Sequence, residues 1–215
     1  MNRKSITKDL VYIAIFVALM VVFTLYVSIP FYPVPLTFQT VICVLAGLLL
    51  GAVRGSIAML VYVFMGFVLS LPVFAGGKGG FSMVFSPTFG YIIGFPVASF
   101  VAGIIRGKSE KAKLPRYLIA ALAACLACYV VGIPYFLLVW RYYLGNLNVW
   151  HAAVTYNLLY IPKDAVLCFV AAIIAFKVAP SFLFKSKNDK DTKNAANADN
   201  PENNPAADDK NAKQS

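Results

Sequence analysis

Asp164 is the residue whose type and position most need a chemical explanation. It stands between Lys163 and the uncharged stretch 165–176. A carboxylate beside an apolar run is costly in hydrocarbon unless it faces a protein interior and has a partner. It is also a strong acceptor of hydrogen bonds. Tyr156, Asn157 and Tyr160 lie just upstream. Thr37 and Gln39 supply a hydroxyl and an amide, Gly76-Gly-Lys78-Gly79-Gly80-Phe-Ser82 supplies a cation, and Pro87-Thr88-Phe-Gly-Tyr91 supplies two more hydroxyls. Aromatic walls with a few polar groups are what a small-ligand site needs. The glycines around Lys78 predict a flexible loop able to close over a ligand. Each of these residues alone also reads as an interfacial aromatic or a helix cap. What joins them is a shared predicted side.

Other chemistries are poorly supplied. Gly76-Gly-Lys78-Gly-Gly80 resembles a Walker A loop only superficially. No Ser or Thr follows the lysine, and Pro72 stands where the first glycine belongs. His151 is the single histidine, and one His without nearby carboxylates or thiolates builds no metal site. Cys125 and Cys128 form a C-x-x-C flanked by Ala, Leu and Tyr, with no second pair and no cation to favour a thiolate. With Cys43 and Cys168 they read as small packing residues. No pair of acids suits general acid/base work: Asp9 and Glu110 lie in or beside basic segments, and the acids other than Asp164 fall in the C-terminal tail. The expectation is a protein that is not an enzyme and holds no metal or cofactor.

The elements that must position these groups follow from composition. Of 215 residues, 60% are hydrophobic and 13% charged, with mean hydropathy +0.74. Soluble domains average about 25% charged residues. The net charge of +10 does not mark a nucleic-acid binder, because the cations sit between long apolar runs. Residues 10–53, 55–77, 79–105, 117–140, 142–162 and 165–176 carry no charge. A spanning helix needs about 20 apolar residues. Pro30, Pro33 and Pro35 divide the first gap. The prediction is an all-α integral membrane protein, a bundle of six transmembrane helices near 9–29, 37–53, 55–71, 87–106, 117–139 and 157–178. The second and third meet at the turn Gly51-Ala-Val-Arg-Gly55.

Cations set the orientation. One side receives Arg3, Lys4, Lys8, Arg54, Arg106, Lys108, Lys111, Lys113, Arg116, Lys177, Lys185 and Lys187. The other receives Lys78 and Arg141, with Lys163 near its edge. Basic loops stay cytoplasmic, so both termini are expected in the cytoplasm and the polar cluster outside. The N-terminus lacks a small-residue cleavage site and is kept as the first helix. Counting back from Val178 places Asp164 about 9 Å inside the outer boundary. Pro162 suits the first turn of a helix, which would put Asp164 near a favourable dipole; if the helix begins earlier and kinks at Pro162, the same depth applies. A direct Lys163–Asp164 pair looks awkward, since adjacent helical side chains diverge by roughly 100°. Residues 1–185 are read as the membrane domain. Residues 186–215, rich in Asn, Asp, Lys and Ala, are read as a disordered cytoplasmic tail. Small-residue pairs recur at Ala14/Ala18, Gly47/Gly51, Gly90/Gly94, Gly103/Gly107 and Ala120/Ala124. Most would pack the bundle, and one would offer a flat face to a partner.

Five segments in order resemble a known family: Val34-Pro-Leu-Thr-Phe-Gln39, Ala46-Gly-Leu-Leu-Leu-Gly51, Leu71-Pro-Val-Phe-Ala-Gly-Gly-Lys-Gly-Gly80, Ser86-Pro-Thr-Phe-Gly-Tyr-Ile-Ile-Gly-Phe95 and Ile161-Pro-Lys-Asp164. The chain resembles the BioY family, the biotin-specific substrate-binding (S) components of energy-coupling factor (ECF) transporters. The likeness spans about 8–178 and stops before the tail. It implies a cell-membrane protein that captures biotin outside. It also implies partners: a transmembrane coupling protein, contacted through Ala14 and Ala18, and two ATPase subunits. Biotin offers a ureido ring, an apolar sulfur ring and a chain ending in carboxylate. On this resemblance Asp164 accepts a ureido N–H, Asn157 or Gln39 donates to the ureido carbonyl, and Phe and Tyr side chains cover the sulfur ring. Lys78 is first to neutralise the carboxylate, with Lys163 or Arg141 behind it. Some relatives place Gly before this Asp and Lys three residues after it, where this chain has Lys163 and Leu167. Competing readings are an S component for another vitamin, a lipid-modifying enzyme and a non-catalytic scaffold.

Overall fold

The computed structural model describes residues 3–28, 37–107, 112–143 and 148–198. Six α-helices carry the described chain: α1 (Arg3–Tyr26), α2 (Gln39–Leu50), α3 (Ala52–Phe67), α4 (Phe89–Arg106), α5 (Leu114–Tyr142) and α6 (Val149–Ala198). A short 3-10 turn, Phe81–Phe85, precedes α4. Among the described residues the sole β-type pairing is an isolated bridge between Phe74 and Lys78.

The six expected helices are present, with shifted ends. Three of them, Ile6–Tyr26, Phe89–Arg106 and Leu114–Tyr142, are long and apolar enough to cross a membrane. At 12 and 16 residues, α2 and α3 reach only about 18 and 24 Å, short of the ~30 Å hydrocarbon thickness. The outward faces are apolar: Leu126, Val130 and Leu138 on α5 and Val166 on α6 stand exposed. Such a surface is stable in lipid and a liability in water. The chain is a multi-pass membrane protein.

The core is built around α2, in which every residue but Leu49 is buried. A helix that is apolar all round belongs at the centre of a bundle. Gly51 ends it with φ +84°, a left-handed conformation that side chains resist. That single residue turns the chain, so α3 begins at Ala52 rather than at the expected residue 55. Small residues then let α4 approach closely. A methyl on Gly47 would meet the Ser99 carbonyl, and one on Gly103 would meet the Ala52 backbone. Gly90 and Gly94 fit against Tyr135 and Cys128 in the same way. Ala120 and Ala124 are buried. Of the five small-residue pairs, Ala14/Ala18 alone has both members on the exposed surface. Gly47→Ala is therefore expected to lower the thermal midpoint of the purified protein, since overpacking a filled core costs about 1–3 kcal/mol. An unchanged midpoint would mean that α2 and α4 separate freely.

The helices alternate between two ends. Asp9 of α1 pairs with Arg54 of α3 at 2.9 Å. The Arg116 side chain of α5 donates to the Ile105 carbonyl near the end of α4 at 2.8 Å. These contacts gather the cations at one end. At the other, Tyr26, Phe81, Tyr142 and Trp150 are exposed, as aromatic residues are at a membrane interface.

The last helix differs most from expectation. It starts at Val149, not at 157 or Pro162, and Pro162 lies inside it. Asp164 is then four turns from the N-terminus, beyond the reach of the helix dipole. The compact body extends to Lys177, and the chain from Val178 on belongs to a separate unit. That unit is helical to Ala198, past residue 186 where composition predicts a disordered tail. No Gly or Pro interrupts 181–198, and Ala and Lys are good helix formers. Residues 199–215 lie outside the described residues.

Candidate functional site

One face of α6 carries the site. Asn157, Asp164, Cys168, Ala171 and Ala175 are buried, and their spacing by threes, fours and seven keeps them on one side of a 3.6-residue helix. Asp164 is 6% exposed. Its Oδ2 accepts a 2.7 Å hydrogen bond from the Tyr129 hydroxyl of α5. Its Oδ1 lies 2.9 Å from Lys163 Nζ. The neighbouring pair that looked awkward in sequence does form, because the four-carbon lysine stem curls back across the divergence. The same ammonium donates to the Thr37 carbonyl at 2.6 Å and lies 5.4 Å from the Tyr160 ring centre.

These groups open into a cavity of about 100 Å³, several times the ~10–15 Å³ that one water needs. Its floor holds Asp164, Lys163 and Tyr129, and α2 contributes Gln39 and Thr40. Thr37, Thr88, Tyr91, Asn157, Tyr160 and Lys78 complete the polar wall, and Ile92, Phe95 and Phe136 form an apolar one. Nine of the ten residues expected at a ligand site from sequence therefore surround one space. The exception is Gly79, which does not line it: its α-carbon is set against the Leu71 and Gly66 carbonyls instead. Arg141, held in reserve for an anionic group, is also outside, with its guanidinium 5.9 Å from the Tyr142 ring centre.

Two expected roles change with the geometry. Gln39 donates from Nε2 to both Thr24 Oγ1 and Tyr62 Oη, each at 2.8 Å. Its two amide hydrogens are spent inside the bundle, so it cannot donate to a ligand carbonyl. The Lys78 segment is anchored, not loose. Phe74 is fully buried against Tyr62 and Phe89, and its N–H and carbonyl bond to Lys78 at 2.9 and 3.2 Å. Gly76 and Gly77 adopt positive φ and make the tight turn. Gly80 N donates to the Gly66 carbonyl at 2.7 Å. The glycines shape a hairpin whose tip alone, with Lys78, is exposed.

Asn157 Oδ1 accepts from the Tyr91 hydroxyl at 2.7 Å. Ser86 and Thr88, both lining the cavity, have hydroxyls 2.8 Å apart. Sequence reasoning passed over Tyr129, Thr40, Ser86 and the apolar wall. Tyr129 had a signal: a phenol in the middle of an apolar span needs a buried partner. The wall residues had none in a chain with 17 Phe. All four cysteines are buried free thiols, and Cys128 touches the cavity while donating to the Tyr91 carbonyl at 3.6 Å. His151 is exposed at the start of α6.

A carboxylate beside an ammonium can meet a neutral ligand edge that carries one donor and one acceptor. The apolar wall can cover a ring, and Lys78 at the mouth can meet an anion.

Comparison with known proteins gives a consistent set of relatives. The sequence profile of the BioY family matches residues 1–183. The chain is 34% identical to a probable biotin transporter BioY from Lysinibacillus sphaericus, over 85% of this chain and 92% of that one. It is 33% identical to the biotin transporter BioY of Rhizobium etli, over 78% of this chain and 91% of that one. It is 43% identical to a probable biotin transporter BioY from Pyrococcus horikoshii, over 58% of this chain and 72% of that one. A crystal structure of the S-component for biotin from an ECF-type ABC transporter matches with a TM-score of 0.69 at 23% identity, covering 83% of this chain and 94% of that one. At that identity the likeness establishes a shared fold.

Proposed function

Since the chain belongs to the BioY family, we propose that it is the substrate-capture component of a biotin uptake transporter, with biotin held in the cavity around Asp164. It is a transport protein and not an enzyme. The observation that carries this reading is the Lys163–Asp164 pair, 2.9 Å apart and mostly buried at the cavity floor. In a cyclic urea the carbonyl and the adjacent N–H point out along one edge. Asp164 accepts from that N–H, and Lys163 donates to that carbonyl. An ammonium has three donors. One goes to the Thr37 carbonyl, and Asp164 Oδ1 lies within ion-pair reach of Nζ but has no hydrogen-bond partner, which leaves an N–H of Lys163 and that oxygen for the ligand. Lys163 thus takes the role that Asn157 or Gln39 was expected to fill.

The rest of the ligand runs toward the mouth. Phe95, Ile92 and Phe136 cover the sulfur ring. Asn157 lies two turns before Asp164, about 10.5 Å along the axis, and so faces the ligand's chain. Lys78 neutralises the terminal carboxylate, beside the Ser86 and Thr88 hydroxyls.

Orientation follows from charge. The cation-rich end that holds Arg54, Arg106 and Arg116 is cytoplasmic, which places both termini inside and the cavity mouth outside a plasma membrane. The exposed Ala14/Ala18 face of α1 meets a transmembrane coupling protein, which with two ATPase subunits drives import. Residues beyond the membrane domain form a cytoplasmic tail.

The test is equilibrium binding to the purified full chain. Biotin is expected to bind saturably, and thiamine, riboflavin and folate are not. Preference for another vitamin, or no binding at all, would overturn the reading.

A further inference from the structure

A second polar network lies behind the cavity wall. Tyr62 on α3 is 0% exposed and does not line the cavity. Its hydroxyl lies 3.1 Å from the Val73 carbonyl, to which it donates. Thr24 of α1 donates its hydroxyl hydrogen to the Met20 carbonyl at 2.6 Å. The two N–H groups of Gln39 then go to Tyr62 Oη and Thr24 Oγ1. Thr24 Oγ1 and Tyr62 Oη also lie 3.2 Å apart; with each hydroxyl donating to its carbonyl, four protons meet four acceptors. A network buried in an apolar bundle and satisfied in this way specifies position more than it adds stability.

Val73 is the base of the hairpin that carries Lys78. The next residue, Phe74, pairs with Lys78 through both backbone groups, and its ring packs edge-on to Tyr62 with centres 5.5 Å apart. The tip of the Phe74 ring closes against Gly66, one turn along α3 from Tyr62, where a methyl would collide with it. Tyr62 therefore reaches Lys78 through one hydrogen bond and one ring contact, both on residues 73 and 74. Gln39, which shares its hydroxyl, is itself part of the cavity wall.

We infer that Tyr62 is a positioning residue. Its hydroxyl fixes the Val73–Lys78 hairpin so that the Lys78 ammonium meets the anionic end of the ligand, and it thereby sets the preference for a free carboxylate over a neutral derivative. This inference rests on the proposed biotin site and adds a residue that touches no ligand.

The experiment measures binding of biotin and of biotinamide, its neutral amide, to the purified full chain and to variants that elute as monodisperse protein. The unaltered chain is expected to prefer biotin by tenfold or more, and Lys78→Ala to erase that preference. Tyr62→Phe is expected to reduce the preference at least fivefold while biotinamide affinity changes less than twofold. A role limited to stability would weaken both ligands alike, and that result would overturn the inference. So would a preference left intact. Gly66→Ala pushes on the tip of the Phe74 ring and is expected to reduce the same ratio. If Tyr62→Phe does not fold, an intact ratio in Gly66→Ala overturns the inference. Failure of the unaltered chain to bind either ligand would overturn the reading of the site, and this inference with it. Binding of both ligands equally well would overturn this inference alone.

Discussion

Asp164→Asn is expected to weaken biotin binding by tenfold or more, measured at equilibrium on purified protein. The substitution keeps the shape and replaces one carboxylate oxygen by an amide nitrogen. Lys163 Nζ cannot accept a hydrogen bond, so the remaining oxygen turns to it and the new N–H2 faces Tyr129, whose hydroxyl can reverse. Folding is thus accommodated. Recognition is not, because a charge-assisted acceptor becomes a neutral one and the cavity floor goes from a balanced pair to a net positive charge. Hydrogen bonds to charged groups contribute about 1.5–3 kcal/mol. At 1.4 kcal/mol per decade, that is a loss of roughly tenfold to more than a hundredfold. Affinity within twofold of the unaltered chain would remove Asp164 from the site.

Much of this site was legible because a membrane makes polar residues conspicuous. Asp164, Asn157, Thr37 and Lys78 each interrupt or border an apolar run, and their shared end follows from counting spans. A carboxylate beside an apolar run is expected to face the bundle interior with a partner, and Asp164 is 6% exposed and bonded to Tyr129. What the chain concealed has physical reasons. Helix ends are set by single residues such as Gly51, whose positive φ no composition rule reveals. Pro162 fits either a helix start or the interior of a helix begun earlier, and it lies within α6. A proline interior to a long helix loses one hydrogen bond, and Asn157 before it and Asp164 and Cys168 after it are buried. The glycines near Lys78 signal either mobility or tight turns, and only the burial of Phe74 decides for turns. The Thr24–Gln39–Tyr62 network joins residues from three helices. Nothing local in those segments announces that they meet.

Lys163→Met is expected to lower both thermal stability and biotin affinity, and the double change Lys163→Met with Asp164→Leu separates the two effects. The lysine and the carboxylate are both mostly enclosed, with side-chain exposures of 18% and 9%. Removing the cation alone strands a carboxylate inside the bundle. Breaking a buried pair in this way typically costs about 3–5 kcal/mol. It also frees the Thr37 carbonyl, which anchors the chain just ahead of α2. Replacing both partners with apolar side chains of similar volume avoids the lone charge, and such exchanges are often neutral or stabilising by about 1–4 kcal/mol. The double variant should therefore be more stable than Lys163→Met alone, short of the unaltered chain by the Tyr129 hydroxyl and Thr37 carbonyl it leaves unpaired, while binding no biotin. A pair retained for folding would make the double variant less stable than the single one. A pair retained for recognition leaves a sound bundle with a cavity that can no longer read a urea, and the cost of keeping two charges within hydrocarbon is then explained by the ligand they meet.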